Sequence, residues 1–241
     1  MLSGLQDLIP ATLLAVELIL LIVTLFVVQA SRRESRGRTR LIQEMYRTAK
    51  IVSRDDYFNS VMDGYKTASN NVLARVTGKK PSGDEMEIAH RLLLLIEEVT
   101  KRGIEINFLL PKSPERLYMG YRYTKAGAKV RYHSGIIASD LRYMIIDTKT
   151  VVLGLSGKTG EQEPTRTGYR IPSEGLANVL KTDFMMLWES VEATNYEEYV
   201  RHLLLRIKKT NPSISIELLT NQLDLDVDET NRLLNQINVQ V

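Results

Sequence analysis

The longest uninterrupted apolar stretch runs from Ile9 to Ala30 and is almost entirely Leu, Ile, Val, Ala and Phe. As a helix it is long enough to cross a hydrocarbon core of roughly 30 Å. Pro10 falls at its start, where a missing N–H costs nothing, and Ser31 follows its end. The pattern therefore predicts one transmembrane helix over residues 9–30. Glu17 breaks it about two turns inside, where an ionised carboxylate is costly. It reads either as a contact with another membrane helix or as an acid that snorkels to the nearer surface.

Beyond the apolar stretch the pattern changes period. Helical spacing covers about Leu41 to Ile51 and Asp55 to Ala68, and Asn70-Asn71 marks a turn before the strand-like VLARVTG. After the loop from Lys79 to Gly83, EMEIAHRLLLLIEEVTKRG has helical spacing and ends on a C-cap glycine, Gly103. IEINFLLP reads as a strand closed by Pro111, a helix follows from about Pro114 to Ala126, and KVRYH is a third strand. Strand, helix, strand, helix, strand predicts parallel pairing and α/β architecture. LRYMIID and TVVLGLS, separated by Thr148 and Lys149, predict a β-hairpin. A polar loop, Gly157 to Thr167, leads to a last strand at GYRIP and a helix at GLANVLKTDFMMLWESV.

Composition narrows the picture. The 241 residues leave room for one α/β domain and a small appendage after the anchor. With 44% hydrophobic and 25% charged residues, the chain is neither disordered nor polytopic. It has no cysteine, which excludes disulfides, thiolate metal sites and cysteine nucleophiles. Its histidines are His90, His133 and His202, and neither a metal site nor a cofactor is expected. The formal charge of +3 is too small to imply nucleic acid, but its distribution is informative. Arg32, Arg33, Arg36, Arg38 and Arg40 follow the apolar stretch against Glu34 alone, whereas the N-terminus offers only Asp7. The positive-inside rule then predicts a single-pass cell-membrane protein with its soluble part in the cytoplasm. The same arginines can meet anionic headgroups of the bilayer. A cleavable signal peptide would want positive charge before a shorter apolar run.

RGIEINFLLP, AGAKVRYH, the DLRYMIID and TVVLG hairpin and the FMMLW helix together resemble the phospholipase D-like fold. The likeness is greatest to the degenerate domain of TrmB-type archaeal transcription regulators, over roughly residues 55–193. It implies a phospholipase D-like sandwich, α/β, with a mixed, largely parallel sheet flanked by helices. In the active superfamily the motif H-x-K-x-x-x-x-D is followed by a Gly-Ser turn. Its histidine attacks phosphorus and its lysine binds phosphate. Aligned on Asp147, this chain has Asp140 at the histidine position, Arg142 at the lysine position and Gly154 at the glycine. A phosphohistidine intermediate needs an imidazole that attacks and then leaves, so the resemblance implies an inactivated domain. What can survive is anion binding by Arg142, whose guanidinium grips oxyanions bidentately. The plainer reading is structural, with Arg142 paired to Asp140 and Asp147 shaping a hairpin turn.

GLSGKTG, from Gly154 to Gly160, fails the P-loop spacing, because Val152 stands where the first glycine belongs. The last part of the chain, residues 194–241, predicts three helices and resembles the helical part of a winged helix-turn-helix. Its second and third helices carry Glu217, Asp224, Asp226, Asp228 and Glu229 against Arg232, the wrong sign for phosphate. Arg206, Lys208 and Lys209 on the preceding helix argue the other way. The organisation read is a transmembrane helix at 9–30, a basic juxtamembrane segment at 31–54, a degenerate phospholipase D-like domain at 55–193 and a small C-terminal helical unit at 194–241. The expected function is non-enzymatic binding or regulation at the membrane, through a protein partner or self-association. A membrane-tethered transcription regulator and an active phosphodiesterase are the rivals.

Overall fold

The computed structural model describes residues 50–83, 85–136, 141–156 and 165–238. The predicted transmembrane segment with Glu17, the arginines Arg32, Arg33, Arg36, Arg38 and Arg40, and Asp140 lie outside the described residues. Among the described residues no helix is long and apolar enough to cross a membrane.

Among the described residues, eight strands form one sheet: β1 (Lys50–Val52), β2 (Asn71–Arg75), β3 (Glu105–Pro111), β4 (Lys129–His133), β5 (Arg142–Ile146), β6 (Thr150–Ser156), β7 (Thr165–Pro172) and β8 (Thr194–Asn195). Their spatial order is β1-β7-β6-β5-β2-β3-β4-β8. The helices are α1 (Arg54–Thr67), α2 (Glu85–Lys101), α3 (Leu117–Lys125), α4 (Glu174–Trp188), α5 (Tyr196–Thr210), α6 (Ile216–Leu223) and α7 (Val227–Asn238), with a 3₁₀ turn at Pro114–Arg116. All belong to one compact unit, Thr48–Val241.

Local signals explain the helix starts. Ser53, Ser173, Asn195 and Ser215 each turn a side-chain oxygen onto a backbone N–H in the first turn of α1, α4, α5 and α6, satisfying a donor that the helix itself cannot. After α2, Gly103 takes φ +83°, a conformation that suits glycine. The expected helix reaching Ile51 is corrected at its end, because Lys50 to Val52 are extended and pair with β7. β8, of two residues, was not foreseen.

The alternation of strands and helices does produce parallel pairs, β2 with β3 and β3 with β4. The expectation of a largely parallel sheet is nevertheless wrong. β5 enters beside β2 instead of β4 and runs against it, and β5, β6 and β7 form successive antiparallel hairpins. β1 on β7 and β8 on β4 are antiparallel too. Apolar periodicity identifies a strand but leaves its neighbour open, so a run such as YMII fits either partner.

Alternating side chains feed two cores. Val72, Ala74, Phe108, Leu110, Met144 and Ile146 join α1, α2, α3 and α5 on one face. Leu73, Leu109, Tyr143, Ile145 and Val151 meet Ala177, Leu180 and Phe184 of α4 on the other. The Phe108 ring stacks on Tyr123 at 4.0 Å between centroids. Replacing such a fully buried ring by alanine costs about 3–5 kcal/mol, which makes this contact a main support of the face that holds the cavity described next.

Candidate functional site

Arg142 opens β5 and stands directly across from Gly154 of β6, which in turn faces Gly168 of β7. Opposed residues project from the same face of a sheet, so the two glycines leave the surface beside Arg142 clear of side chains. Two of the residues aligned from the sequence are thus neighbours. Asp147 is not with them. It follows the far end of β5, roughly 17 Å away at about 3.4 Å per residue.

The Asp147 carboxylate accepts the backbone N–H groups of Ser69 (2.9 Å), Asn70 (2.8 Å) and Asn71 (3.1 Å). Its own N–H donates to the Asn71 carbonyl, and Lys149 N–H closes the turn on Ile146. Asp147 and Thr148 both have positive φ, 51° and 56°, as a type I′ hairpin turn demands. Asp147 therefore clamps the hairpin to the connection entering β2.

The histidines are elsewhere. His133, buried at the end of β4, accepts the Gly135 N–H at Nδ1 and lies 3.0 Å from Ser190 Oγ through Nε2. With Nδ1 accepting, the neutral ring carries its proton on Nε2 and donates to Ser190. β2 and β3 separate His133 from β5. His90 and His202 are exposed on α2 and α5.

A cavity of about 470 Å³ lies between α1, α2 and the sheet, with Arg142 and Arg116 in its wall. Arg116 ends the 3₁₀ turn and is 2% exposed. Its Nε has no hydrogen-bond partner among the described residues, and the Glu115 carboxylate, itself largely exposed, is 3.9 Å from its guanidinium. Burial lowers the Arg116 pKa, and Glu115 only partly opposes this. Burial also lowers that of Arg142, with the Tyr57 hydroxyl raising it and the charge of Arg116 lowering it further. The charge of Arg116 thus acts weakly against that of Arg142, after burial and Tyr57. Tyr57, Phe58, Phe108 and Met144 give the wall much apolar and aromatic surface, beside the polar Thr77, Lys79, Ser82 and Glu85.

The loop from Thr77 to Ser82 closes one side of the cavity. Gly78 at φ +61° lies so close to the sheet that a Cβ would stand 1.9 Å from Leu110 Cδ2 and 3.7 Å from Arg116 Cβ. Lys80, in the same loop, makes a 2.7 Å ion pair with Asp224, between α6 and α7. The sequence reading passed over Arg116 because an arginine at a helix start resembles a solvent-facing residue. A signal was present, since Arg116, Gly120 and Tyr123 share one helical stripe and all three are buried.

In the C-terminal helices, Arg232 is held by Glu197 and by the buried Glu229, each at 2.8 Å. Those carboxylates raise its pKa. Asp226 accepts the Tyr121 hydroxyl of α3 and the Glu229 N–H that begins α7.

No protein-family model matches this chain, and no curated protein matches it in sequence. Among solved structures it is similar to Nuc, a phospholipase D family member from Salmonella typhimurium, at 13% identity and a TM-score of 0.46, over 62% of this chain and 97% of that one. It is similar to NucT from Helicobacter pylori at 16% identity and a TM-score of 0.47, over 61% and 98% of the two chains. It is also similar to TrmBL2, an archaeal chromatin protein with a novel mode of DNA binding, at 19% identity and a TM-score of 0.44, over 68% and 63%.

Proposed function

We propose that this chain is a membrane-anchored, non-enzymatic binding or regulatory protein built on an inactivated phospholipase D-like domain that faces the cytoplasm. The observation that carries the reading is the occupation of the motif residues. Asp147 gives its carboxylate to three backbone N–H groups, and among the described residues no imidazole lines the cavity that holds Arg142. With aspartate at position 140, where the motif has its histidine, the sequence offers no imidazole there to attack phosphorus. Engagement of Arg232 by two acids supports protein contact over DNA for the C-terminal helices.

The purified chain should hydrolyse neither phosphatidylcholine nor bis(p-nitrophenyl) phosphate above background. Turnover by the native chain that disappears in Arg142→Ala would overturn the reading. The anchor is tested separately, by protease accessibility of a C-terminal tag in intact cells. Protection is expected, and digestion would reverse the topology.

A further inference from the structure

We propose that the loop at residues 77–82 is a lid on the cavity between α1, α2 and the sheet, and that the C-terminal helices hold it shut through the Lys80–Asp224 ion pair. This goes beyond the binding reading above and does not depend on what the cavity takes.

The loop leaves the end of β2 and leads to α2, and its residues face two ways. Thr77, Gly78, Lys79, Pro81 and Ser82 line the cavity. Lys80 is not part of that wall. Its Nζ donates to both carboxylate oxygens of Asp224 at 2.7 Å and stands 4.6 Å from the centre of the Tyr118 ring of α3. Little else fixes the loop. Before it, the Val76 N–H is bonded to the Leu109 carbonyl of β3, and at its end the Ser82 and Gly83 carbonyls accept from Glu85 and Met86 of α2. Between those points, among the described residues, no backbone hydrogen bond holds the loop, and Lys80 makes its only side-chain ones. Gly78, where a Cβ would meet Leu110 Cδ2 at 1.9 Å, is the seated end. Gly83 is the free end: at φ +56°, with nothing within 4 Å of a Cβ, its backbone can turn without meeting a neighbour.

The other half of the latch is held in an unusual conformation. Asp224 closes α6 in the left-handed region, at φ 53° and ψ 40°, where glycine is less strained. What an aspartate adds at that turn is the carboxylate that meets Lys80. Both side chains are about half exposed, at 49% and 48%. An exposed ion pair shifts an equilibrium by no more than about fivefold, which suits a gate that must also open. The coupling runs both ways. A cationic partner that takes the Asp224 carboxylate releases the lid, and a ligand that props the lid open frees Asp224 on the C-terminal helices.

The chain has no cysteine, so an introduced thiol reports on one place. Ala74 of β2 lines the cavity and is 1% exposed. Val151, buried in the core on the α4 face, is the control for wider unfolding. The full chain in detergent micelles, carrying Ala74→Cys or Val151→Cys, is treated with iodoacetamide, and alkylation is followed by mass spectrometry. Lys80→Met and Asp224→Asn should each speed alkylation of Ala74→Cys by about two- to fivefold and leave Val151→Cys unchanged. Both substitutions together should act no more strongly than either alone, because they break the same contact. Raising sodium chloride to about 1 M, where the Debye length is about 3 Å, should speed the Ala74→Cys reaction with Lys80 present and not in Lys80→Met. A direct effect of charge on the thiol would have opposite signs in the two variants, so a rise in both reports opening. Ala89→Cys, in the α2 side of the wall, repeats the measurement without disturbing the sheet. Unchanged alkylation at both wall positions, equal acceleration at Val151→Cys, additive effects of the two substitutions, or a salt response independent of Lys80 overturns the proposal. None of these results concerns hydrolysis or topology, so the lid can fail while the binding reading stands.

Discussion

At the scale of single residues, Asp147 and Thr148 carry opposite energetic signs within one turn. Asp147→Ala removes the acceptor of three backbone N–H groups, one of them half-buried, and should cost about 1–3 kcal/mol in urea denaturation. Thr148 pays for its φ of 56° with a β-branched side chain, and glycine adopts that conformation without strain. Thr148→Gly should therefore raise the urea midpoint, by up to about 1 kcal/mol of stability. A destabilised Thr148→Gly would mean that the threonine makes contacts worth more than the strain. Asp147 was readable from the sequence as a turn residue, since an acid followed by Thr-Lys between two strand-like runs is ordinary hairpin chemistry. Its three acceptor bonds were not, because they depend on the turn reaching residues 69–71, far away in the chain. Arg116 was missed for a related reason: charge suggested solvent, and only the packing of α3 turns that position inward.

Among elements, the contact between α3 and the start of α7 should weaken in acid. The Asp226 carboxyl is held below the usual carboxylate range, first by the Tyr121 hydroxyl and then by the Glu229 N–H. A depressed folded-state pKa means stabilisation that is fully present above the unfolded value, near pH 4, and lost as pH falls through the folded value. The urea midpoint of the native chain should thus fall more steeply below about pH 4 than that of Asp226→Asn. Parallel slopes would show that this contact does not contribute. The helices themselves were largely legible, because their starts carry side-chain caps and their apolar positions recur at helical spacing. β8 was not legible, since two residues hold no period, and β1 was absorbed into a helical reading of the segment before it. The arrangement of the central sheet was half legible. Two crossovers placed β2, β3 and β4 correctly, but a strand's own residues do not state which edge it will join.

Across the whole molecule, the C-terminal helices and the sheet share a core. Tyr199 of α5 packs on Tyr132 of β4 at 4.7 Å between ring centroids, and Leu219, Leu233 and Leu234 belong to the same cluster as Phe108. A chain ending at residue 194 should accordingly lose cooperative thermal unfolding, as followed by circular dichroism, because the face of α3 and β4 beneath α5 would be laid open to water. A sharp transition in that truncation would show that the remaining sheet and helices suffice. The sheet order has a further consequence, for biosynthesis. β1 stands first among the described elements, yet it hydrogen-bonds to β7, with Lys50 opposite Arg170. At a translation rate of about 5–20 residues per second, its partner leaves the ribosome on the order of ten seconds later. During that interval the strand beside the N-terminal segment presents unpaired amide and carbonyl groups, and it can join the sheet only once the last hairpin has been made.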